Sequence, residues 1–147
     1  MRVFIGIKAS KILQKRVARW QREHRDLPVR WIKNRNLHLT LVPPWYEDDP
    51  VKAVSKLKTV RYKKGTITFD RVGINFKHKV IWIGKPTQHV TIARFKDAKP
   101  LRGIKFEKIH WKETVDNITL FQSKLGPKGA MYYEIEKILV GGSEQDK

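Results

Sequence analysis

Cysteine is absent from the 147 residues, so the chain can hold neither a disulfide nor a thiolate-ligated metal. That absence fits a reducing compartment. Long apolar runs are also missing. The opening Met1–Ile7 is apolar, but it alternates and is far too short for a signal peptide or a membrane span. These absences predict a soluble protein with no membrane partner that stays where it is made, in the cytoplasm. Acidic residues are scarce, with 14 Asp and Glu against 32 Lys and Arg, for a net charge of +18 and a pI near 10.3. Such a surface concentrates polyanions around itself and points to nucleic acid or another phosphorylated ligand. No Ser/Gly linker or charge block divides the chain. One domain over residues 1–140 is expected, with a polar, flexible tail at 141–147.

What the chain does have is enough to build a core: 40% hydrophobic residues, including five Trp, four Tyr and six Phe. Val3, Ile5 and Ile7 alternate with Phe4 and Gly6, as in a half-buried strand over residues 2–7. Ser10 then offers an N-cap, and Leu13, Val17 and Trp20 recur at helical spacing to about Glu23. A short extended piece at Val29–Ile32 precedes a strand at His38–Val42, which Pro43-Pro44 should stop. Pro50 suits the first turn of a second helix reaching roughly Lys58. Further strands are expected at Thr66–Val72, Val80–Gly84, His89–Phe95, Phe106–Trp111, Val115–Ser123 and Met131–Val140. Gly126-Pro127-Lys128-Gly129 would turn between the last two. The fold class read from this is α+β, sheet-dominated, with about two helices.

The informative feature is a repeated tetrapeptide. His38-Leu39-Thr40-Leu41 and His89-Val90-Thr91-Ile92 are both His-apolar-Thr-apolar. In a strand, residues two apart share a face, so each copy shows an imidazole and a hydroxyl on one side and buries two aliphatics on the other. Histidine serves as acid or base near neutral pH, and in-line displacement at phosphorus needs one of each. Hydroxyls suit the non-bridging oxygens where charge collects. A lone His-x-Thr would be unremarkable; two copies on two strands are not. A metal site is the competing reading, but threonine is a poor ligand. No Glu, Asp or Cys stands at ligand spacing beside either motif. No metal or cofactor is therefore expected. His24, His78 and His110 read as surface or structural residues.

In order along the chain come Arg2-Val3-Phe4-Ile5-Gly6-Ile7, Arg30-Trp31, Asn36-Leu37-His38-Leu39-Thr40-Leu41, Ile81-Trp82-Ile83-Gly84 and His89-Val90-Thr91-Ile92-Ala93-Arg94. Leu120–Tyr132 closes the set. This series resembles the RNA 2′,3′-cyclic phosphodiesterases, historically called 2′-5′ RNA ligases, of the two-histidine phosphoesterase superfamily. The resemblance covers about residues 2–140. It implies a bilobal fold with pseudo-twofold antiparallel sheets around a central cleft, one His-x-Thr strand coming from each lobe. It further implies metal-independent opening of a 2′,3′-cyclic phosphate at an RNA end to a 2′-phosphate, or the reverse 2′-5′ ligation. His38 would be the general acid, His89 the general base, and Thr40 and Thr91 would hold the phosphate. Arg94 would bind it too. Strict alternation puts Arg94 on the side opposite His89, so a twist or bulge must intervene. The expected substrate-binding aromatics are Phe4, Tyr132 and Trp45, the last (or its neighbour Tyr46) because Pro43 stands where the family has an aromatic.

The family's usual helix before the second motif is missing here; only Lys85-Pro86-Thr87-Gln88 remain. Its loss would bare an apolar face formed by Val80–Ile83, Val90 and Ile92, to be covered by another segment or by a second protomer. A monomer and a homodimer through that face are both open, and a more open cleft would favour larger RNA. Two other functions stand beside this one: the same chemistry on 2′-5′ oligonucleotides or cyclic nucleotide signals, and a non-catalytic RNA-binding module. The second would not need the symmetric His and Thr.

Overall fold

The structure is a computed structural model and describes residues 1–141. Among them are two α-helices, α1 (Lys11–Glu23) and α2 (Pro50–Thr59). The ten strands are β1 (Arg2–Lys8), β2 (Arg30–Trp31), β3 (His38–Tyr46), β4 (Gly65–Phe69), β5 (Val72–Asn75), β6 (Val80–Lys85), β7 (Gln88–Arg94), β8 (Trp111–Val115), β9 (Asn117–Gly126) and β10 (Gly129–Leu139). Strand pairing is antiparallel and the class is α+β, as expected. Both helix starts follow from their caps. The Ser10 side chain accepts from the Leu13 N–H at 3.1 Å, and Asp49 accepts from Val51 at 2.9 Å with Pro50 in the first turn. The predicted tail beyond Gly141 lies outside the described residues.

The chain forms two compact units, each drawn from separated stretches: Met1–Lys8 with Thr40–Ile67 and Thr114 onward, and Ala9–Leu39 with Thr68–Glu113. In the first, β9 is flanked by β10 and β1, and β3 follows β1. Phe4 of β1 lies opposite Phe121 of β9, and Gly126 and Gly129 close the β9–β10 hairpin around Pro127-Lys128. Gly129 has φ +109°, which a side chain would resist. Val3, Ile5, Leu57, Ile118 and Leu120 make the core here.

In the second unit β7 is the central strand. β6 runs along one edge, with β5 beyond it. The other edge is shared, β3 pairing through Leu39 with Val90 and β2 pairing Arg30 with Arg94 and Trp31 with Ala93. α1 covers one face: its Gln21 reaches the Ile92 and Ile32 carbonyls, and Trp20 meets Trp31 edge-on at 6.0 Å. Leu13, Val17, Ile81, Ile83, Val90, Ile92 and Leu101 are almost fully buried. Each such side chain contributes about 1.5–3 kcal/mol relative to exposure.

Three expectations need correction. Pro43-Pro44 do not stop β3, which runs on to Tyr46, because a proline removes only one donor and is tolerated where no partner needs it. Phe106–His110 is not a strand; regular pairing begins only at Trp111, and Phe106 packs edge-on against Trp20 at 5.3 Å. The apolar face of Val80–Ile83, Val90 and Ile92 is not bare. All six residues are buried within the single chain, with Trp82 lying over Gly73, so of the two alternatives it is the chain itself that covers that face, which leaves no apolar surface there for a second protomer.

Candidate active site

The two motifs meet on adjacent antiparallel strands. Because Leu39 faces Val90 across β3 and β7, the register puts His38 opposite Thr91, and His89 takes the diagonal position beside His38. Diagonal neighbours stand about 7–8 Å apart at their Cα atoms, room enough for a phosphoryl group between two imidazoles. Leu39, Val90 and Ile92 are buried while His38, His89 and Thr91 are half-buried, so the alternation holds in both strands. The boundary between the compact units falls inside the first motif, after Leu39. Thr40 stands two residues beyond His38 on the same strand and is exposed.

Both imidazoles are oriented in the same way. His38 Nδ1 lies 2.8 Å from the Asn36 carbonyl, and His89 Nδ1 lies 3.0 Å from the Pro86 carbonyl. A carbonyl can only accept, so Nδ1 carries a hydrogen in each ring. That leaves Nε2 in each ring for acid–base work. Lys85–Gln88, short as it is, has a definite role here: its turn brings the Pro86 carbonyl back onto the histidine three residues later.

The bulge that Arg94 requires is present. Against β6, β7 pairs Ala93 with Ile81 but Thr91 with Trp82, so Ile92 is an extra residue. Ile92 and Ala93 are consequently both buried, and the face reverses. Arg94 then lies opposite Val80, which shares its side of β6 with Trp82, the partner of Thr91. Arg94 is thus on the His89 and Thr91 face. The bulge is held by the Ile92 carbonyl, which accepts from the Ile32 N–H at 3.0 Å and from Gln21 Nε2 at 3.3 Å.

Burial lowers the pKa of His38 below its usual 6.5, and the positive charge of Arg94 lowers it further. The hydrogen bond to Asn36 opposes both. The unliganded His38 therefore favours its neutral form near pH 7.

The aromatics divide differently from expectation. Phe4 is only 2% exposed, stacked on Phe121 at 5.0 Å and met edge-on by Tyr132 at 4.9 Å, so no face remains for a base. Tyr132 is half-buried in the same cluster. Trp45 stands five residues beyond Thr40 on an extended strand, about 16 Å along it. The structure does not bring it to the first motif. The residue that the sequence reading missed is Trp82, whose ring lies 5.9 Å from that of His89. Its apolar surroundings in Ile81-Trp82-Ile83 disguise it as core. Among the described residues no group of three His, Cys, Asp or Glu could hold a metal ion, and no helix is long and apolar enough to cross a membrane.

A family model described as LigT like Phosphoesterase matches residues 7–82. The chain belongs to the LigT-like phosphoesterase family. The matched stretch includes His38 and Thr40 and ends before His89. Solved structures supply the fold over the rest. E. coli LigT complexed with ATP is 21% identical, with a TM-score of 0.78 over 95% of this chain and 97% of that one. E. coli LigT complexed with 3′-AMP is 20% identical, with a TM-score of 0.78 over 95% and 96%. A protein of Thermus thermophilus is 16% identical, with a TM-score of 0.76 over 97% and 100%. No curated protein sequence matches. At these identities the LigT likeness is one of fold, a LigT-like α+β arrangement.

Proposed function

We propose that the chain opens the 2′,3′-cyclic phosphate at an RNA end to a 2′-phosphate, without a metal, using His38 and His89 as its acid–base pair. The observation that carries this reading is the matched orientation of the two rings: diagonal neighbours on paired strands, each with Nδ1 tied to a backbone carbonyl. Family membership supports phosphoester chemistry, and the excess of Lys and Arg supports a polyanionic substrate. E. coli LigT has been crystallised with ATP, with 3′-AMP and with phosphate, which supports a phosphate-bearing ligand here.

In this mechanism His89 Nε2 takes a proton from water as the water oxygen bonds to phosphorus. The P–O3′ bond breaks, and His38 Nε2 gives its proton to the departing 3′-oxygen. Thr91, Thr40 and Arg94 hold the non-bridging oxygens. His38 must be protonated to act as acid, yet burial and Arg94 disfavour that in the empty site. The phosphodiester supplies the answer: its negative charge offsets both, so His38 gains its proton together with the substrate. The test is product analysis on a cyclic-phosphate-terminated RNA in excess chelator. A 2′-phosphate with a free 3′-hydroxyl is expected; absence of turnover, or a 3′-phosphate product, contradicts the proposal.

A further inference from the structure

Arg30 and Arg94 occupy directly opposed positions on β2 and β7. Directly opposed residues in an antiparallel pair have Cα atoms about 4.5–5.5 Å apart and project to the same face. Like charges so placed repel, and nothing offsets them: among the described residues neither arginine makes an ion pair. Both are exposed. The next residue, Trp31, is anchored on the other face against Trp20 of α1, which fixes the side on which Arg30 emerges. Through the Ile92 bulge, that side is the one carrying His89 and Thr91. Arg94 is thus held beyond Thr91 on the strand that carries His89, with Arg30 opposite it on β2.

We infer that Arg30 binds a second phosphate of the substrate, the internucleotide phosphate next to the reacting end, with Arg94 beside it bridging that phosphate and the reacting one, and that Arg30 thereby selects oligonucleotides over mononucleotides. This rests on the reading of the His38–His89 face as a phosphate site. Each guanidinium is a fork of donors that matches phosphate oxygens, and two on neighbouring strands can share one anion. A polyanion there converts the repulsion into an attraction shared by both side chains. A mononucleotide cyclic phosphate carries only the reacting phosphate and leaves Arg30 without a ligand. Arg30 acts on specificity and is not a catalytic residue.

The experiment compares the wild type with Arg30→Gln and Arg30→Lys on two substrates, a mononucleotide 2′,3′-cyclic phosphate and a short RNA ending in the same group. In Arg30→Gln the ratio of kcat/KM for the RNA to that for the mononucleotide should fall about tenfold or more, chiefly through KM for the RNA, as removal of a charge-assisted hydrogen bond predicts. Arg30→Lys should recover part of it. A parallel arm needs no turnover: binding of a labelled RNA ending in a 3′-phosphate, measured against salt. The slope of log K on log salt should drop by about 0.7 in Arg30→Gln, the value for one fewer neutralised phosphate on a single strand. Because the variant removes a like-charge pair, its Tm without ligand should not fall. An unchanged substrate ratio and an unchanged salt slope overturn the inference. Equal losses on both substrates also overturn it and put Arg30 on the reacting phosphate. Weakened RNA binding with the lower slope, in a chain that turns over neither substrate, sinks the phosphodiesterase reading and leaves the second phosphate site standing.

Discussion

The Trp82 indole lies between Gly73 and the His89 imidazole, 5.9 Å from that ring by centroid and only 8% exposed. A Cβ on Gly73 would overlap Cζ2 and Cε2 of the indole, so the glycine is the floor on which Trp82 rests. Gly73→Ala should therefore push Trp82 toward His89. The expected cost is about 1–3 kcal/mol in unfolding free energy from overpacking. A drop in kcat of roughly tenfold to a hundredfold should accompany it as the ring leaves its position. Denaturant melts and steady-state kinetics check this, and Trp82→Phe in the same chain should restore part of both.

Gln21 holds the bulge that brings Arg94 round to the histidine face. Its Nε2 donates to the Ile32 carbonyl at 3.1 Å and to the Ile92 carbonyl at 3.3 Å. Gln21→Leu keeps the volume and removes the donors. It should cost about 1–3 kcal/mol, because buried acceptors are left short of a donor, and should raise KM more than it lowers kcat. Denaturant melts and steady-state kinetics on the same variant read both effects.

His38 links stability to pH. Its folded pKa lies below 6.5, through burial and Arg94, so between that value and 6.5 the unfolded chain binds more protons than the folded one. Stability should fall as pH drops through this window and level off below the folded pKa. His38→Gln should lose that slope. Melts from about pH 7.5 to about pH 5 read it directly; a wild-type slope identical to that of the variant contradicts the assignment.

The rate profile carries the complementary signature. The kcat/KM profile should be a bell with one limb at a pKa below 6.5 that reflects His38, since that profile reports the free enzyme. The kcat profile reports the bound state, and its corresponding limb should lie higher because the substrate phosphate favours the charged ring. A profile with no limb below 6.5 contradicts the low pKa of the free His38. The two limbs belong to the coupled pair, and Arg94→Gln should move the kcat/KM limb upward.

Much of this was legible in the sequence because its signals are local. Ser10 and Asp49-Pro50 set the helix starts, and two His-x-Thr alternations marked the strands that carry the site. The need for a bulge before Arg94 followed from strand parity once the family resemblance had given Arg94 to the phosphate. What stayed hidden depends on pairing between distant segments. That Phe106–His110 has no partner strand, that β3 continues through two prolines, and that Arg30 faces Arg94 are facts of register, which no single segment encodes. Trp82 looked like core because it is core on most of its surface. Phe4 looked available because a strand shows two faces, and only the β1–β9 pairing reveals that Phe121 occupies the one it would offer.

The central claim is that His38 and His89 act as one acid–base pair on a cyclic phosphate. Its most direct test is the rate of ring opening, in chelator, for the wild type, His38→Ala, His89→Ala and the double variant, with folding checked by circular dichroism. Each single change should cost on the order of 10²–10⁴-fold, and the double little more than the worse single, because the residues work as a unit. Full activity in either single variant would contradict the account.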